Sequence, residues 1–188
     1  MKKLIIKTIA ITMVILVAVT GVFYLTVSLF YPRVLANFYF NLQNHDLTLK
    51  YSVKAYEASG DINDLSTLCE RCIVFDEDEN TVKYCTTLIN DSEYDILLSK
   101  KSLGYHNYIV GSLCEVQYKS GDKSLSVETA FNNTSNYDEL NPIHRLILLC
   151  ANQNDKTTLS TIKQKLIDRQ DKNELLQNHL ILIDELIN

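Results

Sequence analysis

Thr48-Leu49-Lys50-Tyr51-Ser52 returns 33 positions later as Thr81-Val82-Lys83-Tyr84-Cys85. The same offset sets Leu35 against Leu68, Ala36 against Cys69 and Tyr39 against Cys72. A third copy falls around Gly121-Asp122 with Leu113 and Cys114 in the matching places, and a fourth around Asn154-Asp155 with Leu146 and Ile147. The anchoring leucines Leu35, Leu68, Leu113 and Leu146 therefore follow one another in steps of 33, 45 and 33. Self-similarity at such a period is the mark of stacked supersecondary units, none of which buries its apolar face alone.

The segments between the turns read as helices. Five Gly and two Pro in 188 residues leave few breaks, and apolar residues recur at three and four. Tyr105 to Tyr118 contains β-branched and aromatic residues, yet Ile109, Leu113, Val116 and Gln117 keep helical spacing. Asn141-Pro142 is a start signal, a capping side chain followed by Pro at the first helical position. Asp171 and Glu174 form a capping box, after which Leu176, Leu180, Ile183 and Ile187 line one face.

Before the repeats lies a stretch of different character. From Thr8 to Phe30 there is no charged side chain. As a helix this stretch reaches ~35 Å, enough to cross a hydrocarbon core of roughly 30 Å with some tilt. Its Thr and Ser hydroxyls can bond back to the preceding turn. A cleaved signal peptide is the competing reading, but its apolar region is shorter and ends at small residues; here the run ends Leu29-Phe30-Tyr31-Pro32. Lys2, Lys3 and Lys7 precede the span without an acid among them, which places the N-terminus in the cytoplasm and the rest outside it. The expected organisation is a basic cytoplasmic tail over 1–7, a transmembrane helix over 8–31 and a helical domain over 34–188. Pro32 predicts a break, with the first hairpin starting at once.

Charge divides the chain the same way. Four of the 18 basic side chains and none of the 23 acids fall at positions 1–33, which leaves 14 against 23, a net −9, beyond them. An acidic domain repels phosphate backbones, so no nucleic-acid partner is expected. It is likewise ill suited to lying flat on anionic lipid.

The chain resembles the tetratricopeptide-repeat family in a degenerate form. The first copy carries the likeness best, with Leu35, Tyr39, the turn Gln43-Asn44-His45-Asp46, Leu49, Tyr51, Lys54-Ala55 and Glu57; Tyr118-Lys119-Ser120-Gly121-Asp122 is similar to the family's turn between helices. Small residues at Ala36, Cys69 and Cys114, and at Thr48, Thr81 and Ser126, suit the close approach of two helices. The fourth copy departs from this with Ile147 and Leu159, and the Pro that often closes a repeat is absent. The likeness covers roughly 34–170 and implies an all-α fold: a transmembrane helix, then an α-solenoid of about four hairpins, closed by a capping helix over 172–187. It also implies a concave groove that holds protein or peptide.

No catalytic constellation is legible. His45, His106, His144 and His179 are scattered, and no zinc, phosphate-loop, nucleophile-elbow or EF-hand pattern occurs. No cofactor or metal is expected. Asp76-Glu77-Asp78-Glu79 reads as a solvated turn rather than a cation site. Cys69 and Cys72 make a C-x-x-C in mid-helix, and Cys85, Cys114 and Cys150 complete five thiols. Buried free thiols are the expected state, with one structural disulfide next and a functional dithiol last. Cys72 and Cys85, on facing helices of one hairpin, are the first pair to test. Asn90, Asn132 and Asn133 begin glycosylation acceptor triplets.

Aromatic residues supply the hint of a binding surface: Phe38, Tyr39 and Phe40 in the first helix of the first hairpin, Tyr51 and Tyr56 in the second. Those left exposed would anchor a peptide; those buried are core. The leading expectation is a non-enzymatic membrane-anchored scaffold or chaperone for a protein partner that is itself membrane-associated. A self-associating structural subunit is the alternative, and a thiol-redox protein using Cys69 and Cys72 comes last.

Overall fold

A helix of 29 residues, α1 (Lys2–Phe30), begins the chain. In the computed structural model, residues 2–102, 104–134, 141–169 and 174–187 are described, with side chains from Lys7 in α1 and from Leu176 in the last helix. Lys7–Phe30 is long and apolar enough to cross a membrane, and none of it is buried. As the sequence requires, Thr12, Thr20 and Thr26 donate their hydroxyls to the carbonyls of Thr8, Leu16 and Val22 at 2.8–2.9 Å, so these polar groups are satisfied within the helix. The helix stops at Phe30. Tyr31, with φ −134° and ψ 51°, is the one residue before α2 (Pro32–Asn41), which has Pro32 at its first position.

Every regular element among the described residues is an α-helix. After α2 come α3 (His45–Ser59), α4 (Ile62–Val74), α5 (Asp78–Ile89), the short α6 (Tyr94–Leu98), α7 (Tyr105–Lys119), α8 (Lys123–Asn132), α9 (Pro142–Asn152), α10 (Lys156–Asp168) and α11 (Glu174–Ile187). Four turns, α2–α3, α4–α5, α7–α8 and α9–α10, share one backbone geometry. Gln43, Asp76, Gly121 and Asn154 hold positive φ of 54°, 54°, 96° and 52°. The N–H of the next residue reaches back five positions: Asn44 to Tyr39, Glu77 to Cys72, Asp122 to Gln117 and Asp155 to Cys150, all at 2.9–3.0 Å. The left-handed residue itself donates to the carbonyl three back, at 3.0–3.2 Å. This is the Schellman ending, which satisfies carbonyls that the terminating helix leaves open. The left-handed positions advance by 33, 45 and 33, and the longer middle step accommodates α6.

The small-residue positions read from the register are all at the packing interfaces. Ala36, Cys69, Cys114 and Ile147, and Thr48, Thr81, Ser126 and Leu159, are each 1% exposed or less. In the third hairpin the Ser126 hydroxyl donates to the Cys114 carbonyl at 2.7 Å. Where the fourth hairpin substitutes Ile147 and Leu159, both are core.

The chain divides into two compact units, 1–68 and 69–188, with the division inside α4. In the first, α1 and α3 both pack on α2, around Leu35, Ala36 and Tyr51, with Val27, Tyr39 and Leu47 half-buried against them. Asn44 caps α3, its side chain accepting the Leu47 N–H at 3.1 Å, and Gly60, in the left-handed region at φ 62°, ends it. Arg33 pairs with Asp64 at 2.6 Å, and Ser59 donates to the same carboxylate.

In the second unit α7 is central, packed against α5, α8 and α9. Val110, Cys114, Tyr118, Val127, Ile143 and Ile147 belong to one core that continues through α10. Asn141 caps α9 through the His144 N–H at 2.8 Å. The α11 helix packs on α9 and α10 with Leu176 and Ile183 buried and Leu180 and Ile187 half-buried, as its periodicity requires. The capping box involving Asp171 lies outside the described residues, as does Ser135 of one acceptor triplet.

The thiols correct the sequence reading. Cys69 and Cys85 are joined, Cα atoms 5.5 Å apart, while Cys72, Cys114 and Cys150 are free and buried. Five free thiols and a Cys72–Cys85 pair are both overturned. The reason is axial level in an antiparallel hairpin. Counted from Asp76, Cys69 is seven positions back and Cys85 nine forward, a mismatch of ~3 Å at ~1.5 Å per residue; Cys72 is only four back, a mismatch of ~7.5 Å that a disulfide does not span.

Candidate protein-binding groove

The aromatic residues picked out by sequence separate into two groups. Tyr39 and Tyr51 stack, ring centroids 5.6 Å apart and nearly parallel, and Tyr51 is only 2% exposed. Its hydroxyl lies 2.6 Å from that of Tyr24 and accepts from Ser28 at 3.3 Å, both on α1; the Tyr24 and Tyr39 hydroxyls are 3.5 Å apart. These two tyrosines therefore fasten the first hairpin to α1. Tyr56 is half-buried, whereas Phe38 and Phe40 are exposed, with Phe38 edge-on to Tyr39. The five do not converge on one pocket.

A concave feature of the second unit is a groove that sequence reasoning missed. One face of α7 presents Tyr108, Gly111, Ser112, Glu115 and Lys119, and α9 faces it with Arg145, Leu148, Leu149 and Asn152. Two open cavities of about 220 and 210 Å³ lie along this face of α7, the first against α9 and the second against Ile73, Asp76, Asp78 and Thr81 of the α4–α5 hairpin, and they share Glu115 and Arg145. An enclosed small-molecule site is typically larger, ~300–1,000 Å³. These hollows suit one or two side chains of an extended polypeptide, and Leu148 is exposed enough to receive them.

Gly111 determines how Arg145 crosses the groove. A Cβ there would lie 2.5 Å from Arg145 Nη1 and 2.9 Å from its Cδ, so the arginine uses the space of a missing side chain. Its Nη2 then reaches Glu115 Oε2 at 3.2 Å, while Lys119 Nζ holds Oε1 at 2.7 Å. The Lys119 hydrogen bond, helped by Arg145 and opposed by burial, keeps the Glu115 carboxyl below its ordinary range. In return Glu115 raises Lys119, with Asp78 and Asp76 adding to the field. The groove thus offers a plus-minus-plus ladder beside an apolar floor. At this exposure each pair adds under ~1 kcal/mol to stability.

The thiol that lines the groove is not an activated one. Cys114 lines it, but burial pushes its thiol up to about 12 against the pull of Arg145. Cys72, similarly buried and near Glu77, is also pushed up to about 12, and Cys150 to about 11. The C-x-x-C is thus split between a disulfide to α5 and a buried, protonated thiol. Among the described residues no three of His, Cys, Asp and Glu gather as metal ligands.

Two histidine contacts were not legible either. His144 Nδ1 is 3.1 Å from His179 Nε2, so one ring donates and the other accepts. His106 Nε2 lies 2.6 Å from the Asn133 carbonyl and must donate, leaving Nδ1 to accept from the Tyr94 hydroxyl at 3.2 Å. The groove did have a signal in the register: Ser112 and Arg145, Glu115 and Leu148, Lys119 and Asn152 are each one repeat step apart. Comparison with protein-family models, with curated proteins and with solved structures finds no match for this chain.

Proposed function

We propose that the chain is a membrane-anchored helical-repeat protein that holds a segment of another polypeptide in the α7–α9 groove. The observation that carries this reading is the groove itself, in which exposed Leu148 and Tyr108 flank the Arg145–Glu115–Lys119 ladder. Apolar contacts supply affinity and the charges fix register and direction. The helical-repeat part of this reading is supported by the recurrence of the Schellman turn at Gln43, Asp76, Gly121 and Asn154. In this reading α1 is retained as the anchor, with its basic end in the cytoplasm. A Cys69–Cys85 disulfide supports an extracytoplasmic domain, because such bonds persist in oxidising compartments.

A photo-crosslinking residue in place of Leu148, in intact membranes, is the test, with the same residue in place of exposed Ile181 on α11 as reference. A defined polypeptide adduct at 148, absent at 181 and weakened by Glu115→Lys, is expected. Adducts to lipid only, or equal labelling at both positions, overturn it. Adducts between two copies of this chain favour the self-associating subunit instead. Protease treatment of intact cells against inverted vesicles checks orientation separately.

A further inference from the structure

One apolar surface has no use in a groove on α7 and α9. Tyr31, Val34, Phe38 and Leu42 are 59%, 57%, 54% and 60% exposed. Their spacing of three, four and four keeps them on one side of α2 and its cap. Left in water, such a stripe is costly, and a partner is implied.

We propose that this stripe is seated in the headgroup layer of the bilayer that α1 enters, so that the first hairpin rests on the membrane surface. The inference depends on the reading of α1 as an anchor. Two features of the first unit select lipid as the occupant. The first is continuity, since a single residue, Tyr31, separates α1 from α2, and the stripe runs on from exposed Leu29 and Phe30. The second is depth. The hydroxyls of Tyr24 and Ser28 on α1 meet Tyr51 of α3, and Tyr24 approaches Tyr39 of α2. From Lys7 these two α1 residues lie ~26 and ~32 Å along the helix, which brackets the far edge of a hydrocarbon core of roughly 30 Å. The hairpin is therefore fixed where tyrosine rings and hydroxyls favour the interface.

The contact is apolar in character. On α2 itself Arg33 is already paired with Asp64, and α3 carries Lys50 and Lys54 against Asp46 and Glu57. Zwitterionic lipid should suffice, with little dependence on salt.

The sequence contains no tryptophan, so one introduced residue reports alone. Full-length protein carrying Phe38→Trp, reconstituted in phosphatidylcholine vesicles, is compared with Phe23→Trp in the last third of α1 and Tyr108→Trp in the second unit. Val34→Trp replaces Phe38→Trp if circular dichroism shows that the latter is misfolded. Expected for Phe38→Trp is quenching by lipids brominated near the headgroup and at least threefold weaker quenching by aqueous iodide than for Tyr108→Trp. Iodide quenching of Phe38→Trp equal to that of Tyr108→Trp, with Phe23→Trp quenched by brominated lipid, overturns the docking while leaving the anchor intact. Shielding of Phe38→Trp from both quenchers means a protein covers the stripe and also overturns it. Loss of brominated-lipid quenching at Phe23→Trp shows that the anchor reading itself has failed.

Discussion

The two units are built on the same turn and held together differently. In 69–188 the hairpins surround an apolar core that runs from Val110 through Ile147 to Ile183, with a disulfide closing one of them. In 1–68 the hairpin meets α1 through Val27, packed against Leu35, Ala36 and Tyr51, and through a set of tyrosine and serine hydroxyls around Tyr51. A shared turn sets how two helices reverse direction, but it does not supply their stability. The core of the second unit is built from α7 to α11, whereas the cluster around Tyr51 in the first is completed by α1.

The largest expected effect lies in the second unit's core. Leu146→Ala or Ile147→Ala should cost ~2–5 kcal/mol, since each removes a side chain at most 2% exposed from close packing. Hydrogen exchange on full-length protein in detergent should show protection lost across α7–α10 and retained in α2–α3. Equal loss in both units would break the comparison.

Next comes the disulfide. Cys69→Ser with Cys85→Ser removes a constraint on a loop of sequence separation 16, worth ~3 kcal/mol in chain-entropy terms. A lower denaturant midpoint for the double variant is the readout. Before that, alkylation of denatured, unreduced protein should modify Cys72, Cys114 and Cys150 only.

A smaller effect, tied to pH, centres on Asp155, which caps α10 and links it to α7 and α8. Burial alone would raise its carboxyl, but Lys123, Thr158 and Tyr118 all donate to it and hold it well below the usual range. A carboxyl depressed in the folded state stabilises fully above its unfolded value of about 4, and that stability drains as pH falls through the folded value. Asp155→Asn should therefore cost ~1–3 kcal/mol at pH 7 and flatten the acid limb of stability. Denaturation midpoints from pH 7 down to pH 2 test the sign; a limb unchanged by the substitution contradicts it.

Smallest is Tyr51→Phe, which deletes only the hydroxyl shared with Tyr24 and Ser28. A loss of ~1 kcal/mol, confined to faster exchange in α2 and α3, sharpens the contrast between the units. An equal change in α7–α9 would dissolve it.

Much of the helical framework was legible because its determinants are local. Asn141-Pro142, the break at Pro32 and the periodicity of α7 each depend on a few neighbouring residues, and each is found in place. The groove was not legible as such. Glu115, Lys119 and Arg145 look like ordinary surface charges until Gly111 leaves room for the arginine to cross α7. The burial of Tyr51 was hidden for a similar reason: nothing near it in sequence indicates that Tyr24, far back on α1, will meet its hydroxyl.

By itself the sequence determined an apolar helix of membrane-crossing length and four chain reversals in steps of 33, 45 and 33, because helix length and Schellman turns are encoded within one or two turns of chain. Tertiary structure alone decided that Cys69 rather than Cys72 meets Cys85, that Tyr51 is buried while Phe38 is exposed, and that Arg145 reaches Glu115. Those outcomes depend on each helix's rotation and axial level against its neighbour, and both are set by packing between segments far apart in the chain.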